Sequence, residues 1–340
     1  MNKLTKIGAS ALAGSLVSVS AFAGELSVSG IWELTYKADD NANVGNPFGS
    51  KSAIMFNGTG DVDGVGTATW YAAINDNNPA GFLSHLVTMD MGDMGVFGFD
   101  QGVGNFGAGT IDDKSPTAWE ESWHNTANSS GGLVHSGGST NVLGYSNTIS
   151  GIDVSFEYAP EINSSDNGDG GSSKGTASIA GGSNMNISIS SSTLLDGLTV
   201  GFGAGETEYD DTAVVGQEDG SSVVGFANYT MGSVTAGITM SESNNSRSTT
   251  ANTNAGGREV EAYGIAFAVN DDLSVSYNQH NMTYKNNGAT ADVEQESTGI
   301  AIAYTMGGAK IAIQNNEQDN TGGTSGTNDE ITEISLSLAF

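Results

Sequence analysis

The sequence predicts an all-β protein: a transmembrane antiparallel up-and-down β-barrel of 16 strands, with long loops at one rim and short turns at the other. Three observations predict it. Apolar and polar residues alternate with period two from end to end, which gives each segment one apolar and one polar face. The connections between segments alternate between short and long. The chain closes on ITEISLSLAF, where Ile334, Leu336, Leu338 and Phe340 alternate with Ser335, Ser337 and Ala339. In water such a terminal strand is an aggregation hazard, whereas against acyl chains it is barrel wall.

The elements follow in order. Lys3 and Lys6 precede a mildly apolar stretch at 7–20, and Ala21-Phe22-Ala23 places small residues at −3 and −1. That pattern predicts a secretory signal peptide over 1–23, cleaved before Gly24, with residues 24–340 forming one barrel domain. No later run approaches the roughly eighteen apolar residues of a helical span, so a membrane could be crossed only by a closed sheet.

The first strand, 26–36, sets Leu26, Val28, Trp32, Leu34 and Tyr36 against Ser27, Ser29, Glu33 and Thr35. Another, 152–158, sets Ile152, Val154, Phe156 and Tyr158 against Asp153, Ser155 and Glu157. Similar segments recur around Phe202, Ile265, Val275 and Ile302, while 223–231 looks mildly apolar on both faces. Seven short turns rich in Gly, Asp and Asn fall at 61–65, 92–95, 149–151, 194–197, 231–233, 270–272 and 306–309. Eight longer polar segments lie near 38–50, 76–83, 101–141, 160–183, 206–221, 243–258, 286–296 and 316–329. Eight long connections interleaved with seven short ones require 16 strands and place both termini on the short-turn side.

Composition excludes other classes. The chain has 39 acidic and 10 basic residues, 49 Gly, 4 Pro and no Cys. High Gly without Pro argues against collagen, and the alternation argues against disorder. The absence of Cys suits an exported chain that needs no disulfides. So negative a balance makes nucleic acid an improper partner and divalent cations natural ones. His85, His124, His135 and His280 lack metal-ligand spacing, and only a chance Ser–His pairing at His280 stands for hydrolysis. The Gly-rich runs at 102–109 and 168–171 follow no strand-to-helix pattern, so they are not phosphate cradles. No metal centre is assigned. Asp166 and Asp169 are the candidates for loose Ca²⁺ binding, with a solvated loop as the plainer account.

From GELSVSGIWELTY at 24–36 through NVLGYSNTISGIDVSFEYAP at 141–160 to the terminal SLAF, the chain resembles the general bacterial porins, trimeric diffusion channels of Gram-negative outer membranes. In the second segment Tyr145 and the Gly151 turn stand in the expected order. The resemblance implies passive transport of small hydrophilic solutes and a homotrimer. It also implies contact with membrane lipids, lipopolysaccharide and the barrel assembly machinery, and makes Ile334, Leu336, Leu338 and Phe340 a C-terminal sorting strand. In that family the third loop folds into the lumen. Here it carries Asp112, Asp113, Glu120 and Glu121 as candidate constriction carboxylates, with Trp119, Trp123, His124 and His135. Acidic groups at a constriction favour cations.

The facing wall usually carries arginines, but this chain has only Arg247 and Arg258, both at the sixth long loop. Lys37, Lys51 and Lys310 are the candidates for a weaker positive wall, while Glu33, Asp153 and Glu157 share the inward parity and add negative charge. For each of these residues a solvated rim position is the open alternative. Phe340, Tyr304 and Phe267 near the short turns, and Tyr36, Tyr158 and Tyr284 near the long loops, suggest two interfacial aromatic belts. Acidic loops beside lipopolysaccharide phosphates suggest bridging by Ca²⁺ or Mg²⁺. The competing function is a surface adhesive or structural β-protein whose acidic loops bind calcium or polysaccharide.

Overall fold

A strand with one apolar face is stable only if both edges are paired and that face leaves water. The computed structural model meets both demands by closure. It describes residues 24–39, 45–76, 84–124, 142–160, 181–209, 219–244, 257–285 and 291–340. The signal peptide read at 1–23, His135, Asp166, Asp169 and Arg247 lie outside them. Among the described residues, 16 strands run in sequence around a closed antiparallel barrel. They are β1 (Glu25–Asp39), β2 (Phe48–Val62), β3 (Gly66–Asn75), β4 (Ser84–Asp90), β5 (Val96–Gln101), β6 (Val142–Ile149), β7 (Ile152–Ala159) and β8 (Gly181–Ser191). Then follow β9 (Leu198–Tyr209), β10 (Gly220–Met231), β11 (Val234–Asn244), β12 (Arg258–Ala268), β13 (Leu273–Tyr284), β14 (Val293–Met306), β15 (Ala309–Asp319) and β16 (Asp329–Ala339). β1 pairs with β16, and Phe340 and Gly30 exchange backbone hydrogen bonds of 2.8 and 3.0 Å, so no edge strand remains.

The alternation sorts cleanly between faces. Ile187, Ile189, Phe202, Ile265, Ile300 and Ile313 point outward, each 42–56 % exposed. Their neighbours Asn186, Ser188, Ser297, Gln314 and Ser335 point inward and are buried. Such an apolar exterior over a polar interior is the arrangement that a bilayer selects. Among the described residues no helix is long and apolar enough to cross a membrane, which says nothing against crossing by strands. The short turns are as tight as expected: between β6 and β7, Ser150 (φ 55°) and Gly151 (φ 82°) both adopt left-handed backbone, whose twist matches the flanking strands.

Two expectations need correction. β1, β9, β14 and β15 run further toward the long loops than alternation indicates, to Asp39, Tyr209, Val293 and Asp319. Above an apolar band the backbone still pairs while outward side chains no longer need to be apolar, so the signal fades before the strand ends. Tyr284 does not join an outer belt. It falls on the opposite parity from Tyr277 and is buried inside with Val260 and Met282, its hydroxyl donating to Gln295 Oε1 at 3.3 Å.

Charge on the outward face is divided. Glu206, Glu208, Glu242, Glu259, Glu261, Glu294, Glu296, Glu317, Asp319 and Glu330 all face outward toward the long-loop rim, and all lie on β9–β16. Within β1–β8 the outward residues nearest that rim are uncharged, among them Phe48, Ser50, Gln101, Leu143 and Tyr158, and Asp76, just past the end of β3, accepts from Ser52 N at 3.1 Å.

Candidate functional site

The third loop begins where β5 ends. Asp100, buried and inward, accepts from the backbone N–H groups of Val103 (2.7 Å) and Asn105 (2.8 Å), which turns the chain toward the interior. Phe106 then lies fully buried against Gly98 and Gly144, paired residues of β5 and β6 whose missing side chains leave room for the ring. At the next turn Gly107 N donates to Ser155 Oγ (2.8 Å), Ala108 N to Asn186 Oδ1 (2.6 Å), and Ser188 Oγ to Gly107 O (2.8 Å). Ala108 and Ile111 close over Val224 and Phe226 of β10. This explains why 223–231 reads as apolar on both faces. One face is the barrel exterior, and the other lies under the loop.

Residues 114–124 continue along the inner wall. Asn228 Nδ2 donates to Lys114 O and Asn278 Nδ2 to Pro116 O, both at 2.7 Å. Ala118 N donates to Ser276 Oγ at 2.8 Å, and Asn316 Nδ2 reaches Glu121 O at 3.0 Å and His124 O at 2.9 Å. Trp123 packs against His280 with ring centroids 4.7 Å apart. These side-chain partners come from inward positions of β10, β13 and β15, so this stretch runs on the interior side of the barrel. The remainder of the loop, 125–141, lies outside the described residues.

Of the four loop carboxylates, two act together. Glu121 is pushed up to about 8, first by burial and then by the adjacent Asp113, with which it shares a side-chain hydrogen bond. Asp113 itself is exposed and Asp112 half-buried. Glu120 lies 3.6 Å from His124 Nδ1, and its charge is felt at Lys51 on the facing wall.

The facing wall is not a free positive surface. Lys51 Nζ meets Glu33 Oε2 at 2.7 Å, and Lys37 Nζ meets Glu333 Oε2 at 3.1 Å. Glu33 also accepts from Ser335 Oγ (2.6 Å) and Ser337 Oγ (3.3 Å). Both lysines are thus offset by carboxylates on neighbouring strands. Glu333 was missed by sequence reasoning, although its parity with Ser335 and Ser337 marks it as inward. Lys310 pairs with Ser337 on the same face, near the short turns. Asp153 accepts from Thr148 Oγ1 at 2.6 Å and borders a polar recess of about 910 Å³ that Asp90, Asp93, Thr110 and Ser188 also line. Glu157 is buried beneath the loop and accepts from Asn186 Nδ2 at 3.1 Å, so it supports the loop's seat.

Neither ring nitrogen of His280 has a hydrogen-bond partner among the described residues, so the Ser–His pairing is not formed. Among the described residues no group of three or more His, Asp or Glu is placed to hold a metal ion.

No family model matches the chain, and no curated protein matches it. Solved structures do. OmpF of Salmonella typhi, in complex with daunomycin, superimposes with a TM-score of 0.67 at 13 % identity, covering 94 % of this chain and 98 % of that one. An anion-selective porin from Comamonas acidovorans gives 0.64 at 13 % identity, covering 93 % of this chain and all (100 %) of that one. The trimer form of OmpT, an outer membrane protein of Vibrio cholerae, gives 0.65 at 13 % identity, covering 94 % and 100 %. The chain therefore has the fold of the bacterial outer-membrane porins.

Proposed function

We propose that the protein is an outer-membrane porin: a water-filled, cation-preferring channel through which small hydrophilic solutes and ions diffuse down their own gradients. One observation carries the reading. A barrel apolar outside and polar inside is crossed on its inner side by a loop bearing carboxylates. A low-dielectric wall strengthens the field of charges gathered at such a narrowing. Glu120 and the Asp113–Glu121 pair on the loop and Glu33 and Glu333 on the wall outnumber Lys37 and Lys51, even with Glu121 protonated, which supports cation preference. The known porins that share the fold support the channel reading.

The test has two arms. Proteoliposomes swelling in sugars of graded size measure the bore, and the reversal potential in a salt gradient measures the charge sign. Replacing Asp112, Asp113, Glu120 and Glu121 by their amides is expected to move the reversal potential toward zero. An unmoved potential removes the loop from selectivity.

The assembly we infer is a homotrimer in which β1–β8, free of outward carboxylates, face the neighbouring copies. The acidic rim of β9–β16 then meets the head-group layer, where Ca²⁺ or Mg²⁺ would bridge it to lipopolysaccharide phosphates. The trimer form of a structural neighbour and the divided outer rim support this arrangement. Chelation is expected to lower the heat resistance of the assembly in outer-membrane lipid, and an unchanged melting profile would dismiss the bridging ions.

A further inference from the structure

Six strands contribute to a single inward row. Asn228 of β10 pairs with Gly237 of β11, Gly237 with Gly264 of β12, and Gly264 with Asn278 of β13. Asn278 pairs with Gly299 of β14, and Gly299 with Asn316 of β15. Residues of this kind weaken a sheet: glycine costs conformational entropy and asparagine is a poor strand former. None of the six sits in a turn. Glycine within a strand often marks the close approach of another backbone, and here that backbone is the third loop.

Residues 114–124 track the row from end to end. Each asparagine donates to a loop carbonyl, at 2.7 Å to Lys114 and Pro116 and at 2.9–3.0 Å to His124 and Glu121. Each glycine opens the space between these contacts. A Cβ on Gly264 would stand 2.6 Å from Pro116 O, and one on Gly299 would stand 2.9 Å from Ser122 Cα, closer than packed atoms come. A loop lying inside a barrel has no strand neighbours for its carbonyls, so the wall must supply the donors.

The geometry points to this Asn–Gly row as the positioning element of the constriction. It seats the loop on β10–β15 and so fixes where Asp113, Glu120 and Glu121 stand in the interior, with the charge of Glu120 within reach of Lys51. The six residues act through the loop. That they set bore and charge rests on the channel reading above, but the docking itself can be tested without it.

Because the chain has no Cys, a single engineered thiol gives a clean probe. Ser122 is fully buried and its hydroxyl has no hydrogen-bond partner among the described residues, so Ser122→Cys keeps the packing. In the folded full-length protein in detergent, a water-soluble methanethiosulfonate reagent should label this thiol slowly. Adding Asn278→Ala and Asn316→Ala should speed labelling by roughly tenfold for each donor lost, the factor expected for one hydrogen bond of ordinary strength. The exposed position Asp113→Cys should label fast in both backgrounds. Gly264→Ala is the second variant. It keeps every donor but crowds Pro116, and should also speed labelling at Ser122→Cys. In planar bilayers the double alanine variant should show larger, noisier steps and a shifted reversal potential, with heat resistance of the barrel retained.

Labelling that stays slow in both Gly264→Ala and the double variant overturns the row's role. Accelerated labelling without current from any version, the parent included, upholds the row and sinks the channel reading instead.

Discussion

Glu121 shows what a single carboxyl inside the barrel can do. Held up to about 8 by burial and by Asp113, it keeps its proton near neutrality, and the pair carries one negative charge where two are drawn. Raising the pH through that value adds a charge at the loop, so the cation-to-anion permeability ratio should climb there. Glu121→Gln should abolish the climb, and a persistent climb in that variant would place the titrating group elsewhere. Stability has the opposite sign. Between the ordinary 4.5 and about 8 the folded chain binds a proton that the unfolded chain has released, so stability falls as pH rises through that window. Reversal potentials and urea midpoints at a series of pH values test both halves.

Lys51 gives a second residue-level case. Its side chain is 60 % exposed beside Glu33, so Lys51→Ala should cost under about 1 kcal/mol of barrel stability while moving selectivity further toward cations. A shift toward anions would contradict the wall as drawn. Of these residues, Glu33 and Lys51 were legible from parity, since each sits on a well-defined alternating strand. The Asp113–Glu121 contact was not, because loop residues carry no period that says which will meet.

At the scale of elements, the alternation and the short Gly-rich turns located the sixteen strands and seven tight connections. The bilayer imposes the first pattern and hairpin twist the second, so both leave marks in local sequence. The loop's seat is different in kind. It depends on Gly98, Gly144, Gly264 and Asn278, residues far apart in the chain that closure alone brings into rows. Their one local sign was glycine in mid-strand, which period counting passes over.

Phe106 tests that seat. Phe106→Ala removes a fully buried ring from the glycine surface of β5 and β6 and should destabilise the barrel by about 3–5 kcal/mol, read as a lower urea midpoint. Gly144→Val, which puts a side chain where the ring lies, should do comparable damage. Wild-type midpoints in both would show that the loop is not anchored there.

At the scale of the whole molecule, the outer surface has two arcs. The arc of β1–β8, whose strands carry no outward carboxylate, suits close contact with other copies, whereas ten carboxylates on β9–β16 suit a head-group layer rich in cations. Phe99→Glu, on the outward face of β5, should therefore break the assembly into single barrels, while Glu261→Gln should leave it whole. Native mass spectrometry in detergent separates the cases, and an intact oligomer in Phe99→Glu would relocate the contact.

The central claim is a hydrated passage through one closed sheet. Single-channel recording of the purified protein in a planar bilayer tests it. Discrete conductance steps are expected, grouped in threes, with a reversal potential of cation sign that moves when Glu120 and Glu121 are made amides. A correctly folded, inserted barrel that passes no current at any salt concentration would contradict it.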